Sequence, residues 1–339
     1  MPSAPTVSAG YANDLMRFAI ARGADAARLS ERSGIDPGSL QDPDARIPFA
    51  RYIDLMAAAK ALCGDPALAL HLGARRDFKD VSVVGLICYA APTMGDGLME
   101  LNRFGRLVVE VDVPAGGARF QLQRRDEELW LVDTRIDPNS FPEMTESTFS
   151  RFISETARHF PDARFAKAVH VTHAKPDHSA EYDRVFKVPV TFGSEKNAIM
   201  IDATWLSIPL HSPNGYAFGV LSEHADRLLK NLSNAKTVRG QVESLLLPML
   251  HKGDVSMQHV AERLGLSRQA LYRKLAQENV SYEHLVDDLR RRMALNYVSG
   301  RKTSVNETAY LVGFSDPSSF SRAFKRWTGS SPRGWKSDA

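Results

Sequence analysis

Cysteine is almost absent from this chain of 339 residues: Cys63 and Cys88 are the only two. Two isolated thiols suit neither a disulfide scaffold nor a four-thiolate metal site, so both are expected as reduced core residues. No run of about 18 apolar residues occurs, which removes a membrane-spanning helix. The N-terminus lacks a basic segment followed by an apolar one, so no secretory signal is expected. There is no Gly-rich phosphate loop, no Gly-x-Ser-x-Gly elbow and no His-Glu-x-x-His pair. Histidine clusters once, at His170, His173 and His178. On a strand, the first two would point to opposite faces, so ordinary surface or core histidines are expected rather than a shared metal. Nothing here predicts a catalytic residue, a cofactor or a metal.

What is present is a charge asymmetry and a repeat. The whole-chain net charge is only +3, but positions 236–339 hold 17 Lys and Arg against 10 Asp and Glu, a net of +7. Positions 1–235 carry a net of −4. Hydrophobic residues make up 43% and charged residues 24%, which suits a globular protein of about two domains. Within the basic part, Ala261-Glu-Arg-Leu-Gly265-Leu-Ser267 and Ala309-Tyr-Leu-Val-Gly313-Phe-Ser315 share one pattern. Each is Ala, three residues, Gly, an apolar residue and Ser. Each precedes a short amphipathic segment with a basic outer face. This is the layout of two helix-turn-helix units.

The small residues have physical roles in those units. Ala261 and Ala309 allow close approach of a supporting helix to its partner. Gly265 and Gly313 fall where that helix ends and a positive φ is cheapest. Met257, Val260, Ala261 and Leu264 form one buried face, entered from Ser256 as N-cap. Ser304-Val-Asn-Glu307 reads as a capping box. Thr308 stands where the inward stripe would prefer an aliphatic residue, a local weakness. The first recognition helix starts at Ser267 and the second near Asp316, with Pro317 at its first turn. Leu271 and Leu275, then Phe320 and Phe324, anchor them inward. The candidate DNA-contacting residues are Arg268, Gln269, Tyr272 and Arg273 in the first, and Ser318, Ser321 and Arg322 in the second. Arg bonds guanine and Gln bonds adenine through paired groove atoms. Isolated, either helix would read as a solvated surface; the duplicated cap, turn, anchor and Arg favour DNA.

Residues from about 236 to the end resemble the AraC/XylS family of bacterial transcription regulators. The stretch Ala309 to Pro332 carries the family's Gly-Phe, Phe-x-Arg-x-Phe-Lys and Ser-Pro elements in order. The resemblance implies an all-α domain of two helix-turn-helix units joined by a long linker helix, matched here by Glu283 to Val298. Arg290-Arg-Arg292 on that linker either meets phosphates or pairs with Asp287 and Asp288 one turn earlier.

The region 1–210 changes period midway. Helices are expected near Tyr11–Arg22, Phe49–Leu62, Pro66–Ala74 and Thr93–Leu107. Val108 to Val113, Arg119 to Gln123 and Leu129 to Arg135 then alternate at period two and read as a meander. A helix spans about Phe141 to Phe160, and strands follow near Ala168–His173 and Ala198–Asp202. The fold class is therefore α+β with a largely antiparallel sheet. Arg46-Ile-Pro48, Gly64-Asp-Pro66, Asn102-Arg-Phe104 and Val188-Pro-Val-Thr-Phe-Gly193 resemble the AraC branch whose N-terminal module is called the arabinose-binding-type domain. That implies a ligand sensor, though the branch label does not imply a sugar.

The resulting expectation is a cytoplasmic, DNA-binding transcription regulator. A ligand-sensing and dimerisation domain covers 1–210, a helical connector 211–235 and the DNA-binding domain 236–339. The ligand pocket is expected between the sheet and the helix of Phe149, Phe152 and Ile153, with Arg103 as anion anchor. Expected partners are double-stranded DNA, a small-molecule effector, RNA polymerase and a second copy of the chain. Two alternatives stand beside this: a regulator without a ligand, and a DNA-repair enzyme carrying the same DNA domain. The second would need a reactive Cys in a metal-ligand cluster, which Cys63 and Cys88 do not supply.

Overall fold

The computed structural model describes residues 4–210, 215–252, 255–299 and 303–335. The chain divides into two compact units, 1–229 and 230–339. Positions 211–214 of the expected connector lie outside the described residues.

In the first unit, strand β1 (Thr6–Ser8) leads into helix α1 (Ala9–Ala21), where Ser8 Oγ accepts from Tyr11 N at 3.2 Å. Helix α2 (Ala26–Ser33), strand β2 (Arg46–Pro48), helix α3 (Phe49–Cys63) and helix α4 (Leu68–Arg75) follow, with β1 and β2 paired antiparallel. Helix α5 (Val83–Ala90) precedes helix α6 (Met94–Val108), which Thr93 and Asp96 open with a reciprocal capping box. Strands β3 (Phe120–Arg125) and β4 (Glu128–Asp133) form a hairpin, with Asp126 at positive φ in its turn. Helix α7 (Glu143–His159), strand β5 (Ala166–His170), helix α8 (Ser179–Phe186) and strands β6 (Val190–Thr191) and β7 (Asn197–Ile201) complete the layer. The sheet order is β3-β4-β7-β5-β6, antiparallel except for β5 with β6.

Alternation along the strands decides what the sheet covers. Leu131, Val169, Ile199 and Ile201 turn toward a core shared with Leu70, Leu98, Phe149, Tyr182 and Phe186. Trp130, Val132 and Ala198 form a smaller cluster of their own. The α+β reading holds, with one correction. Val108 to Val113 is not the first strand of a meander. Val108 still belongs to α6, and Val109 donates to Gly105 O at 3.0 Å. Val109 then makes a single bridge to Val7, and Glu110 N donates to Thr6 O at 2.9 Å. The strand beside the hairpin is β7 instead, supplied from much later in the chain (Asp133 pairs with Asn197).

Helix α9 (Gly215–Ala235) runs from the first unit into the second. The second unit holds helices α10 (Val238–Leu246), α11 (Met257–Arg263), α12 (Arg268–Gln277), α13 (Tyr282–Ser299), α14 (Val305–Leu311) and α15 (Pro317–Thr328). Two small cores share α13: Val260, Ala261, Leu271 and Leu275 pack on its first half, and Ala309, Phe320 and Phe324 on its second.

Candidate nucleic-acid interface and ligand cavity

The two helix-turn-helix units are built by local chemistry. Ser256, Ser267, Ser304 and Asp316 each accept a hydrogen bond from the backbone N three residues on. Ser304 and Glu307 close a capping box. Gly265 and Gly313 sit at φ +67° and +82°. Ala261 and Ala309 are fully buried. Thr308 corrects an expectation: it is fully buried, but its hydroxyl lies 2.9 Å from both Ser304 O and Thr303 Oγ1. A satisfied hydroxyl is no weakness.

On α12, Leu271 and Leu275 are buried while Arg268, Gln269, Tyr272 and Arg273 are exposed. Arg268, Gln269 and Arg273 have no hydrogen-bond or ion-pair partner among the described residues. On α15, Ser318 and Arg322 are exposed and Ser321 half-buried. Arg322 Nη2 donates to Ser319 Oγ at 3.1 Å, within its own helix. The linker α13 is tied to both helix-turn-helix units. Arg292 pairs with Glu243 at 2.8 Å and with Asp288 at 3.2 Å. Arg291 reaches Asp288 at 4.0 Å. Asp287 accepts from Arg326 and Trp327 of α15, at 2.7 and 2.9 Å. Arg290 donates to Gly313 O at 3.1 Å and lies over the Phe314 ring. The triple-Arg run is thus occupied by protein partners. Arg290 as a clamp on the second turn was not legible, because Gly313 is distant in the chain and offers only a carbonyl.

In the first unit, a cavity of about 550 Å³ lies among α5, α6, α7 and α9. Leu86, Leu98, Phe160, Trp205, Leu210 and Leu221 are among its apolar walls, and Lys79, Tyr89, Glu155 and His159 line its polar side. Tyr89 OH and Phe78 N both donate to Glu155 Oε1. Burial raises the Glu155 carboxyl above its usual range, against those two hydrogen bonds. Burial also raises the Tyr89 hydroxyl, and the Glu155 charge adds to it. Asp77, Glu155 and His159 lie close enough to share an ion. However, Asp77 is already engaged by Arg158 at 3.0 Å, His159 at 2.9 Å and Lys79 at 3.6 Å. The Arg158 and Lys79 cations and the His159 ring compete directly with any metal for it.

A second cavity of about 180 Å³ adjoins the first. Phe78, Leu101, Phe152 and Glu155 wall both. Thr148, Arg151 and Arg119 line the smaller one. The sequence-expected pocket residues therefore separate. Phe152 lines both cavities. Phe149 is fully buried in the sheet core, and Ile153 is buried in the same core. Arg103 lines neither: it is exposed, stacks on Phe104, and pairs with Asp226 at 2.9 Å. The polar residues Arg151, Glu155 and His159 were missed. Their i, i+4, i+8 spacing along one face of α7, beside Phe152, was the available signal.

Two helix-turn-helix units on a common linker define a DNA-binding regulator, and the first unit carries an apolar cavity. Comparison with known proteins agrees. The family described as "Arabinose-binding domain of AraC transcription regulator, N-term" matches residues 23–210, and a helix-turn-helix domain family matches 260–338. The chain is 26% identical to the ornithine utilization regulator of Pseudomonas aeruginosa, over 98% of this chain and 97% of that one. It is 24% identical to the HTH-type transcriptional regulator VirS of Mycobacterium tuberculosis, over 96% and 94%. The crystal structure of the transcriptional regulator CdpR from Pseudomonas aeruginosa covers 91% of this chain, and 95% of its own chain is covered, at 21% identity and a TM-score of 0.37. This chain belongs to the AraC-type transcription regulators with an arabinose-binding-type N-terminal domain. No helix among the described residues is long and apolar enough to cross a membrane.

Proposed function

We propose that the protein reads a specific promoter sequence mainly through α12 and responds to a small molecule held in the 550 Å³ cavity of its first unit. The observation that carries the DNA assignment is the set of long, exposed side chains on α12, three of them without a protein partner among the described residues. Arg268 and Gln269 stand in the first turn of that helix, where a recognition helix meets base edges, and Tyr272 and Arg273 follow one turn later. Ser318, Ser321 and Arg322 on α15 supply shorter reach, with Arg322 tethered to Ser319, so the second helix-turn-helix contributes phosphate and single base contacts.

The cavity supports the sensing half. Its volume falls within the range of about 300–1,000 Å³ that holds small ligands, and its apolar walls carry a few convergent polar groups. Helix α9 contributes Leu221 to the cavity and then continues into the DNA-binding unit. Occupancy is thereby coupled to the segment that presents that unit, and a second copy of the chain and RNA polymerase are the partners on which the change acts. Members of this family are named as regulators, and the protein acts by binding rather than by turnover.

The test is direct. Full-length protein is titrated onto selected operator DNA with each base pair varied in turn. A half-site with strong base dependence facing α12, and a weaker half facing α15, is the expected profile. Uniform sensitivity across both halves would remove the ranking.

A further inference from the structure

Three arginines, Arg106, Arg119 and Arg151, line the smaller cavity. Asp133 is shared by Arg119 at 3.1 Å and Arg135 at 3.0 Å. Asp14 is shared by Arg76 at 3.0 Å and Arg151 at 3.6 Å. Each carboxylate is thus shared by two guanidiniums. The Arg151 side chain is about nine-tenths buried (9% exposed); its Nη1 donates to Arg76 O at 2.8 Å, while its Nη2, 3.6 Å from Asp14, has no hydrogen-bond partner among the described residues. Burial raises the Asp14 carboxyl, against the pull of Arg151 and Arg76. A buried guanidinium N–H without an acceptor is costly, and an anion placed there would supply one.

Arg119 and Arg151 line the small cavity, together with the Thr148 hydroxyl. The large cavity beyond Phe152 and Glu155 carries little free charge: Lys79 is turned to Asp77, and the remaining wall is mostly apolar. From Arg151 to His159, α7 runs alongside both cavities for roughly 12 Å, at about 1.5 Å per residue. We propose that the effector is an apolar carboxylic acid that spans the two cavities. Its carboxylate meets Arg119, Arg151 and Thr148, and its hydrocarbon body passes Phe152 and Leu101 into the large cavity. This rests on the reading of the large cavity as the effector site and adds to it the head group and its orientation.

The experiment uses full-length protein and three matched series: octanoate, decanoate and dodecanoate, the corresponding alcohols, and the corresponding primary amines. Binding is measured by calorimetry and by the rise in Tm, below the micelle concentration of each compound. The expected result is that carboxylates bind roughly tenfold or more tightly than alcohols of equal length, with amines weakest. Arg119→Gln should erase the carboxylate advantage while leaving alcohol binding, and Leu101→Trp, at the neck, should abolish binding of the carboxylates. Should Arg119→Gln fail to fold, the comparison of the three series on the unaltered protein still decides. Equal affinity for all three head groups, blocked by Leu101→Trp, would overturn the carboxylate and leave the cavity as effector site. No binding by any series, or binding indifferent to Leu101→Trp, would overturn both.

Discussion

At the scale of single residues, Asp133 combines a fully buried side chain with two cationic partners. Burial alone would raise its carboxyl; Arg119 and Arg135 outweigh that and hold it below the ordinary value of 3.8. A carboxylate with a lowered native pKa stabilises the fold at and above the ordinary range. That contribution is lost as pH falls through the lowered native value. Asp133→Asn should therefore cost about 3–5 kcal/mol at neutral pH, because two guanidiniums lose their counter-charge. It should also flatten the acid limb of the stability profile, as measured by urea titration between neutral and acid pH. A variant that unfolds with unchanged midpoint at neutral pH would show that Arg119 and Arg135 find other partners. On α12 the same scale predicts an asymmetry. Arg273→Ala should lose about 1–3 kcal/mol on specific DNA and much less on random DNA, if it reads a guanine. Arg322→Ala should lose less, since Ser319 already holds it. Equal losses on both DNAs, read by fluorescence anisotropy, would reassign Arg273 to phosphate.

Between elements, the two turn glycines look alike in sequence and differ in surroundings. At Gly265 a Cβ would meet nothing within 4 Å; at Gly313 it would lie 2.3 Å from the Leu250 carbonyl. Gly265→Ala should therefore lose about 1–2 kcal/mol from the left-handed backbone alone. Gly313→Ala should lose clearly more and weaken specific DNA binding, because the contact it breaks joins the two helix-turn-helix units. Thermal denaturation of both variants checks this, and equal losses would dismiss the Leu250 contact as a constraint. The pair marks where sequence reading ends. Caps and turns at Ser256, Ser267, Ser304 and Asp316 were legible because each is satisfied by a group three residues away. Val108 to Val113 misled because alternating valines signal a buried extended chain, while only pairing makes a strand. Helix α5 went unseen because Val83 to Ala90 is apolar nearly all round and shows no period. Arg103 pointed the wrong way because its partner, Asp226, lies far along the chain.

For the whole molecule, the two compact units divide the labour between sensing and DNA reading, and charge follows that division. A net of +7 over positions 236–339 predicts DNA binding that falls steeply with salt. It also predicts that the segment 230–339, which forms its own compact unit, binds DNA without the first unit. A fragment that folds by circular dichroism and shows no salt-sensitive binding would count against that autonomy. The most direct test of the central claim, sequence-specific DNA reading by the two helix-turn-helix units, is selection of duplexes from a randomised pool by the full-length protein. Each recovered sequence is then titrated against a scrambled control over a range of salt. A recurrent site, bound about 10³-fold or more tightly than the scrambled duplex with the advantage reduced by Arg273→Ala, is the predicted result. Recovery of no shared sequence, with equal affinity for selected and scrambled DNA at every salt concentration, would contradict it.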